Sequence, residues 1–233
     1  LWIRKDIDET PDFKKVKESG QVAKAPLRET LKHHWREVII AAGLKVVETA
    51  PFYIFSTFVV SYATTLSYQK SQALESVTLG ALVATVMIPL MGLLSDKVGR
   101  QKMYTLSVVL LGLFIVPWFM LLDTGTTWAI MLATVVMFGI LWAPITAVLG
   151  TLCSEIFSAN VRYTGITLGY QIGAALAGGT APLIATGLLA KYDGDWVPVA
   201  WYLAVTVVIS LIAIFCASRV KRTTLLQAQP EHL

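Results

Sequence analysis

Six long apolar runs organise the chain, at residues 38–66, 74–94, 104–122, 128–153, 165–190 and 197–217. Each matches the length of about 20 residues that a helix needs to cross about 30 Å of hydrocarbon. Within the runs apolar residues follow one another without strict alternation, so the pattern predicts helices and argues against the short alternating strands of a membrane barrel. The predicted fold class is an all-α membrane protein. Residues 1–37 form a connector, 38–217 a bundle of six transmembrane helices, and 218–233 a tail.

Composition strengthens that reading. With 55% hydrophobic and 15% charged residues and a mean hydropathy of +0.65, the chain carries too little polar surface for a soluble domain, and the lipid bilayer is its expected surrounding. Of the 19 Lys and Arg residues, 16 fall before Glu37, at Lys97, Arg100 and Lys102, at Arg162, or in the tail at Arg219, Lys221 and Arg222. Six spans put all of these on one side, and only Lys70 and Lys191 on the other. By the positive-inside rule both termini are cytoplasmic, in a multi-pass protein of the plasma (inner) membrane. The net charge of +4 therefore reports topology. No nucleic-acid partner is expected, because the basic residues of the connector are interleaved with Asp6, Asp8, Glu9, Asp12, Glu18 and Glu29. Cys153 and Cys216 form no disulfide framework. No signal peptide is recognisable, and Leu1-Trp-Ile-Arg-Lys5 reads as the last turn of an earlier span, so the chain is expected to be the back part of a longer protein.

The connector carries helix signals of its own. Thr10, Pro11 and Asp12 combine a hydroxyl cap, a proline at the first helical position and an acid near the positive dipole end. After Pro26, the Leu27, Leu31 and Trp35 stripe lies beside Arg28, Lys32 and Arg36, a pattern suited to an amphipathic helix on the membrane surface; a solvated linker is the alternative.

Lys45 and Glu48, three apart in the first run, project from one helix face. A charge at mid-membrane costs about 2.5–3.5 kcal/mol and usually turns toward a cavity. Alternatively the span starts near Thr49 and Lys45 snorkels to the interface. Pro51 loosens the helix just beyond, and Phe52, Tyr53 and Phe55 follow, so residues 48–53 are the leading candidate for a substrate-lining segment.

Between the second and third runs stands a polar loop of about eight residues within Gly92-Leu-Leu-Ser-Asp96-Lys97-Val-Gly99-Arg100-Gln-Lys102. Gly92 permits close helix approach, and Gly99 suits a tight turn. Asp96 can pair with Arg100 or accept helix N-terminal amides, which fits a gate latch; a plain turn carrying positive-inside charge is the alternative. A phosphate loop is excluded because Gly99 is followed by Arg-Gln-Lys. Between the fourth and fifth runs, Glu155 and Arg162 can pair with each other or with Asp96 and Arg100.

Gly165, Gly169 and Gly173 give the fifth run a small-residue stripe for close helix approach, with Tyr170 and Gln171 set within it. Gln171 needs a hydrogen-bonding partner, either another helix or a ligand. Gly178, Gly179 and Pro182 are expected to weaken this helix midway, as are Pro89 in the second run and Pro144 in the fourth.

The residue 92–102 loop, the Ser154-Glu-Ile-Phe-Ser-Ala-Asn-Val-Arg-Tyr-Thr-Gly165 connection and Asp8-Glu-Thr-Pro-Asp-Phe13 together resemble the metabolite:proton symporter family of the major facilitator superfamily. That branch includes carriers of shikimate, α-ketoglutarate, citrate and proline or betaine. The resemblance covers essentially the whole chain and implies the C-terminal half-bundle of a twelve-helix fold, with the N-terminal six-helix half as a missing partner. It makes Asp96, Gly99 and Arg100 a copy of the family's cytoplasmic gate motif, with Gly92 and Lys102 beside it and Glu155 and Arg162 as partners. The implied function is proton symport of a small organic acid or zwitterionic osmolyte by alternating access, with the proton gradient as driving force and no cofactor. Residues 48–53 and 169–171 look most like the shikimate-type members, which points to a hydroxylated or cyclic organic acid. Lys45, Glu48, Tyr53, Tyr170 and Gln171 are then the substrate and proton pathway candidates. Rival classes are a six-span permease subunit of an ATP-driven importer and a channel. An enzyme is not expected, since His33, His34 and His232 all lie outside the apolar runs and no metal-ligand spacing appears.

Overall fold

Backbone N–H and C=O groups in hydrocarbon must find partners within their own segment, and a long apolar run meets that demand as a helix. The computed structural model describes residues 26–66, 68–159 and 161–227. Among them are six helical spans long and apolar enough to cross a membrane: Trp35–Thr65, Lys70–Val98, Arg100–Leu122, Thr127–Ser154, Arg162–Lys191 and Val197–Val220. A short helix, α1 (Pro26–His33), precedes the first span. It packs against the first and fifth spans through a buried Thr30 and leaves Leu27, Leu31 and Trp35 about half exposed along one stripe. The helix signal at Thr10 and residues 228–233 of the tail lie outside the described residues.

The loop of about eight residues expected between the second and third spans is far shorter. Both helices continue through their polar ends and meet at Gly99 alone. Its φ of +100° is open to glycine and strained for any other residue, and its N–H closes the second span on the Ser95 carbonyl at 2.8 Å. Gly92, by contrast, makes no close helix approach: an added Cβ would meet nothing within 4 Å.

The first span is the hub of the bundle. The sixth packs on one side of it, where a Cβ on Gly43 would come within 2.8 Å of Ala213, and the fifth packs on another. The glycine stripe explains the second contact. A Cβ on Gly169 would lie 2.6 Å from the Ala41 Cβ, and one on Gly173 would lie 2.6 Å from the Ala42 carbonyl oxygen. Gly165 instead accommodates the ring of Phe157. Gly173→Val should therefore force these backbones apart at a cost of about 1–3 kcal/mol. A lowered thermal midpoint is expected for that variant of the full-length protein, with Gly92→Ala unchanged; equal midpoints would contradict the packing.

Three spans widen into single π-helical stretches, at Ile54–Phe58 in the first, Val135–Trp142 in the fourth and Ala174–Gly178 in the fifth. A proline stands within four residues of each, Pro51 before the first stretch and Pro144 and Pro182 after the other two; the missing N–H of Pro144 and of Pro182 frees the Ile140 and Gly178 carbonyls, which the wider turns accommodate. Pro89 was expected to weaken the second span in the same way, yet that helix runs unbroken from Lys70 to Val98. The ring stands at an exposed position, so no packed neighbour reinforces a bend there.

At the end remote from Gly99, Asp123 gathers three segments. It accepts hydrogen bonds from the Tyr62 hydroxyl at 2.9 Å and the Trp196 indole N–H at 2.7 Å, while the Trp196 and Phe119 rings stack 4.9 Å apart. Beside it, the Tyr68 hydroxyl donates to the Leu122 carbonyl at 2.8 Å, and burial holds that phenol above its ordinary pKa, so it stays a donor. Asp123→Ala leaves the buried Tyr62 hydroxyl without its acceptor. A loss of about 1–3 kcal/mol is expected; a full-length variant that melts with the wild type would overturn this assignment.

Candidate functional site

Two polar clusters interrupt the apolar bundle. The inner one is built around the Lys45 and Glu48 pair. One helical turn brings Lys45 Nζ to 2.5 Å from Glu48 Oε2, with only 17% and 12% of the two side chains exposed. Other segments complete the setting. Thr49 donates to Glu48 Oε2 at 2.8 Å, and Thr146 of the fourth span reaches Glu48 Oε1 at 3.4 Å. Trp142 donates its indole N–H to the Glu48 backbone carbonyl at 2.6 Å. Tyr170 of the fifth span places its ring 4.9 Å from Lys45 Nζ. The snorkelling alternative does not describe this geometry, because the ammonium turns inward to a carboxylate and an aromatic face.

The carrying helix is braced from behind. Tyr104 of the third span donates to the Leu44 carbonyl at 2.7 Å. Ser210 of the sixth span donates to the Gly43 carbonyl at 2.6 Å and accepts from the Val47 N–H at 3.1 Å. One turn further on, Phe52 packs against Tyr53, Phe138 and Trp142 with ring centroids 5.2–5.6 Å apart, which sets an aromatic wall beside the ion pair.

The sequence-derived candidates divide here. Lys45, Glu48 and Tyr170 converge in one cluster. Tyr53 stands at its edge, 38% exposed and in contact with Phe52. Gln171 is exposed and lies outside the network. Trp142 and Thr146 were not singled out from sequence. They sit in a uniformly apolar stretch, and only the approach of the fourth span to the first gives them a role.

The outer cluster lies at the Gly99 turn. Arg100 bridges two acids, with one terminal nitrogen 2.7 Å from Glu155 Oε1 and the other 3.0 Å from Asp96 Oδ1. The bridge ties the second and third spans to the end of the fourth. Together with Ser95, Gly99 and Lys102, these residues line an open cavity of about 470 Å³. Arg162 donates from Nε to the Phe157 carbonyl at 3.3 Å, holding the turn that leads into the fifth span. Glu155 is thus joined to Arg100 as one of the sequence alternatives had it. No group of three or more His, Cys, Asp or Glu residues able to hold a metal occurs among the described residues.

An all-helical bundle of six membrane-length spans, with a buried ion pair inside and a charged bridge at one end, defines a polytopic membrane protein. The chain belongs to the Major Facilitator Superfamily, which matches it over residues 1–178 and again over residues 42–232. It is 27% identical to the shikimate transporter of Escherichia coli K12 over 213 residues, covering 90% of this chain and 49% of that protein. It is 26% identical to the ectoine/proline transporter ProP of Corynebacterium glutamicum, covering 92% of this chain and 45% of the relative. For the inner membrane metabolite transport protein YhjE of Escherichia coli K12 the identity is 28%, with 97% of this chain and 52% of the relative covered. The chain spans about half the length of the curated relatives it matches, and those relatives are transporters, not enzymes. No solved structure matches it significantly.

Proposed function

We propose that this chain supplies one six-helix half of a secondary transporter that moves a small carboxylate-bearing metabolite or zwitterionic osmolyte by proton symport through alternating access. The Lys45 and Glu48 pair carries the reading. A charge pair this far from water is costly to keep and weak as a source of stability. It is well suited to exchange. Lys45 can hold either the Glu48 carboxylate or a substrate carboxylate, and when a monoanionic substrate takes Glu48's place, a proton on Glu48 keeps the site at the same net charge, whereas a zwitterion with that proton carries one positive charge across. Proton and substrate then enter and leave together. The groups that face Glu48 are Lys45 and Thr49 on its own span, Tyr104 from the third, and Trp142, Thr146 and Tyr170 from the fourth and fifth, so among the described residues Lys45 is its one cationic neighbour in the site.

The outer bridge serves as half of a gate on the cytoplasmic side. Arg100 with Asp96 and Glu155 holds the second, third and fourth spans together in one state, and separation of those pairs accompanies the other. The N-terminal half of the carrier supplies the remaining wall of the substrate path. Relatives named for shikimate, ectoine and proline support the proposed substrate class.

The test is uptake by proteoliposomes that contain the full-length protein, given labelled shikimate, proline, ectoine and betaine. Accumulation under an inward proton gradient is expected; accumulation that needs ATP, or uptake that only equilibrates, would overturn the proposal. Sidedness is read separately. With Cys153→Ser and Cys216→Ser as background, Asp193→Cys between the fifth and sixth spans should react in intact cells with a membrane-impermeant maleimide. Absence of labelling there, with labelling in inverted vesicles, would reverse the orientation.

A further inference from the structure

We infer that a groove between the third and sixth spans is a binding site for an anionic phospholipid of the leaflet that meets the Gly99 end of the bundle. The groove has a volume of about 660 Å³. Leu106 and Val109 wall it on one side, Leu211 and Phe215 on the other. Cations stand at its mouth. Lys102 lines it and is exposed, and the Arg219 guanidinium lies 4.7 Å from the centre of the Phe215 ring.

The layout matches the two parts of a lipid. From Lys102 to Val109 the third span rises about 10 Å, at about 1.5 Å per residue, so the apolar wall begins directly below the basic mouth and continues at acyl-chain depth. No carboxylate lines the groove among the described residues. The hydroxyls near its mouth are already engaged within their own helices: Thr105 donates to the Gln101 carbonyl at 2.8 Å, and Ser218 to the Phe215 carbonyl at 2.7 Å. Recognition therefore falls to the two cations, which select charge, and a phosphodiester without a compensating ammonium group is what they favour.

The occupant is a lipid rather than the other half of the carrier because of where the groove faces. Tyr104 and Ser210 of these two spans brace the first span from behind, on the Gly43, Leu44 and Val47 side. The Lys45, Glu48 and Phe52 side turns toward the fourth and fifth spans, where the substrate path is proposed. The outer faces of the third and sixth spans are left to the bilayer, and Leu106 and Phe215 remain more than half exposed there. The choice of leaflet and the placing of the missing half rest on the proposed function; the charge selectivity of the groove does not.

Native mass spectrometry of the full-length protein, released from micelles containing either phosphatidylglycerol or phosphatidylcholine, tests the site. The wild type is expected to retain phosphatidylglycerol at least fivefold more than phosphatidylcholine. Lys102→Gln combined with Arg219→Gln should remove that preference, and Lys70→Gln at the opposite end should keep it. A groove-filling variant, Val109→Trp, retains both cations and should also lose bound phosphatidylglycerol, which covers the case in which the charge variant fails to fold. Equal retention of the two lipids by the wild type, or undiminished phosphatidylglycerol on both the charge and groove-filling variants, would overturn the inference. Labelling of Asp193→Cys decides the leaflet independently, so a reversed orientation and a groove without lipid selectivity give different results.

Discussion

Glu48→Gln in the full-length protein is expected to abolish proton-driven accumulation of substrate while exchange of substrate across the membrane persists. The glutamine carbonyl can still accept from one of Thr49 and Thr146, which reach different carboxylate oxygens, and its NH2 can donate to the hydroxyl oxygen of the other, so the local hydrogen bonds largely survive. The charge does not. Lys45, only 17% exposed, is left without a counter-charge whenever the site is empty, a penalty of about 3 kcal/mol. That bias corresponds to about a hundredfold against the empty carrier returning through the membrane. Bound carboxylate relieves it, so loaded carriers still exchange. Lys45→Met with Glu48→Met removes both charges and should recover thermal stability close to wild type without recovering transport. A Glu48→Gln protein that accumulates substrate as the wild type does would refute the role given to the pair.

The second large effect belongs to Arg100. Its side chain is 35% exposed, so the bridge to Asp96 and Glu155 contributes at most about 1 kcal/mol to stability once solvent screening is counted. Arg100→Ala is therefore expected to leave the thermal midpoint nearly unchanged and to act on conformation. With the bridge gone the second and third spans lose the polar tie to the end of the fourth, and buried Ser95 at the wall of the cavity should become accessible. Maleimide labelling of Ser95→Cys, in a background without native cysteines, should rise severalfold when Arg100→Ala is added. Arg100→Lys is expected to restore only part of the protection, because one ammonium cannot reproduce the two-pronged geometry of the guanidinium. Equal labelling with and without Arg100 would remove the gate from the account.

Much of the bundle could be read from the chain because a bilayer imposes simple rules. Apolar length marks the spans, and the four-residue spacing of Gly165, Gly169 and Gly173 identifies the closely packed fifth span before any contact is seen. The Lys45 and Glu48 pair was equally accessible, since residues three apart on a helix share a face. Convergence between distant segments was not. Trp142 and Thr146 gain meaning only when the fourth span is set against the first, and Asp123 reads as an ordinary turn acid until Tyr62 and Trp196 are found on it.

Two local readings failed for a related reason. Gly92 faces open space and Pro89 sits in an unbroken helix, because what a glycine or proline does within a span depends on its neighbours. The eight-residue loop failed differently. Polar residues can extend a helix beyond the hydrocarbon as readily as they can end it, and Gly99 is the only residue the turn requires.

The central claim is that substrate and proton cross together through the site made by Lys45 and Glu48. Its most direct test is the external pH of lightly buffered proteoliposomes holding the full-length protein, with the membrane potential clamped at zero, after a pulse of a transported substrate. Alkalinisation in fixed proportion to substrate uptake, absent in the Glu48→Gln protein, is the expected result. Uptake of the same substrate by the wild type with no change in pH would contradict the account.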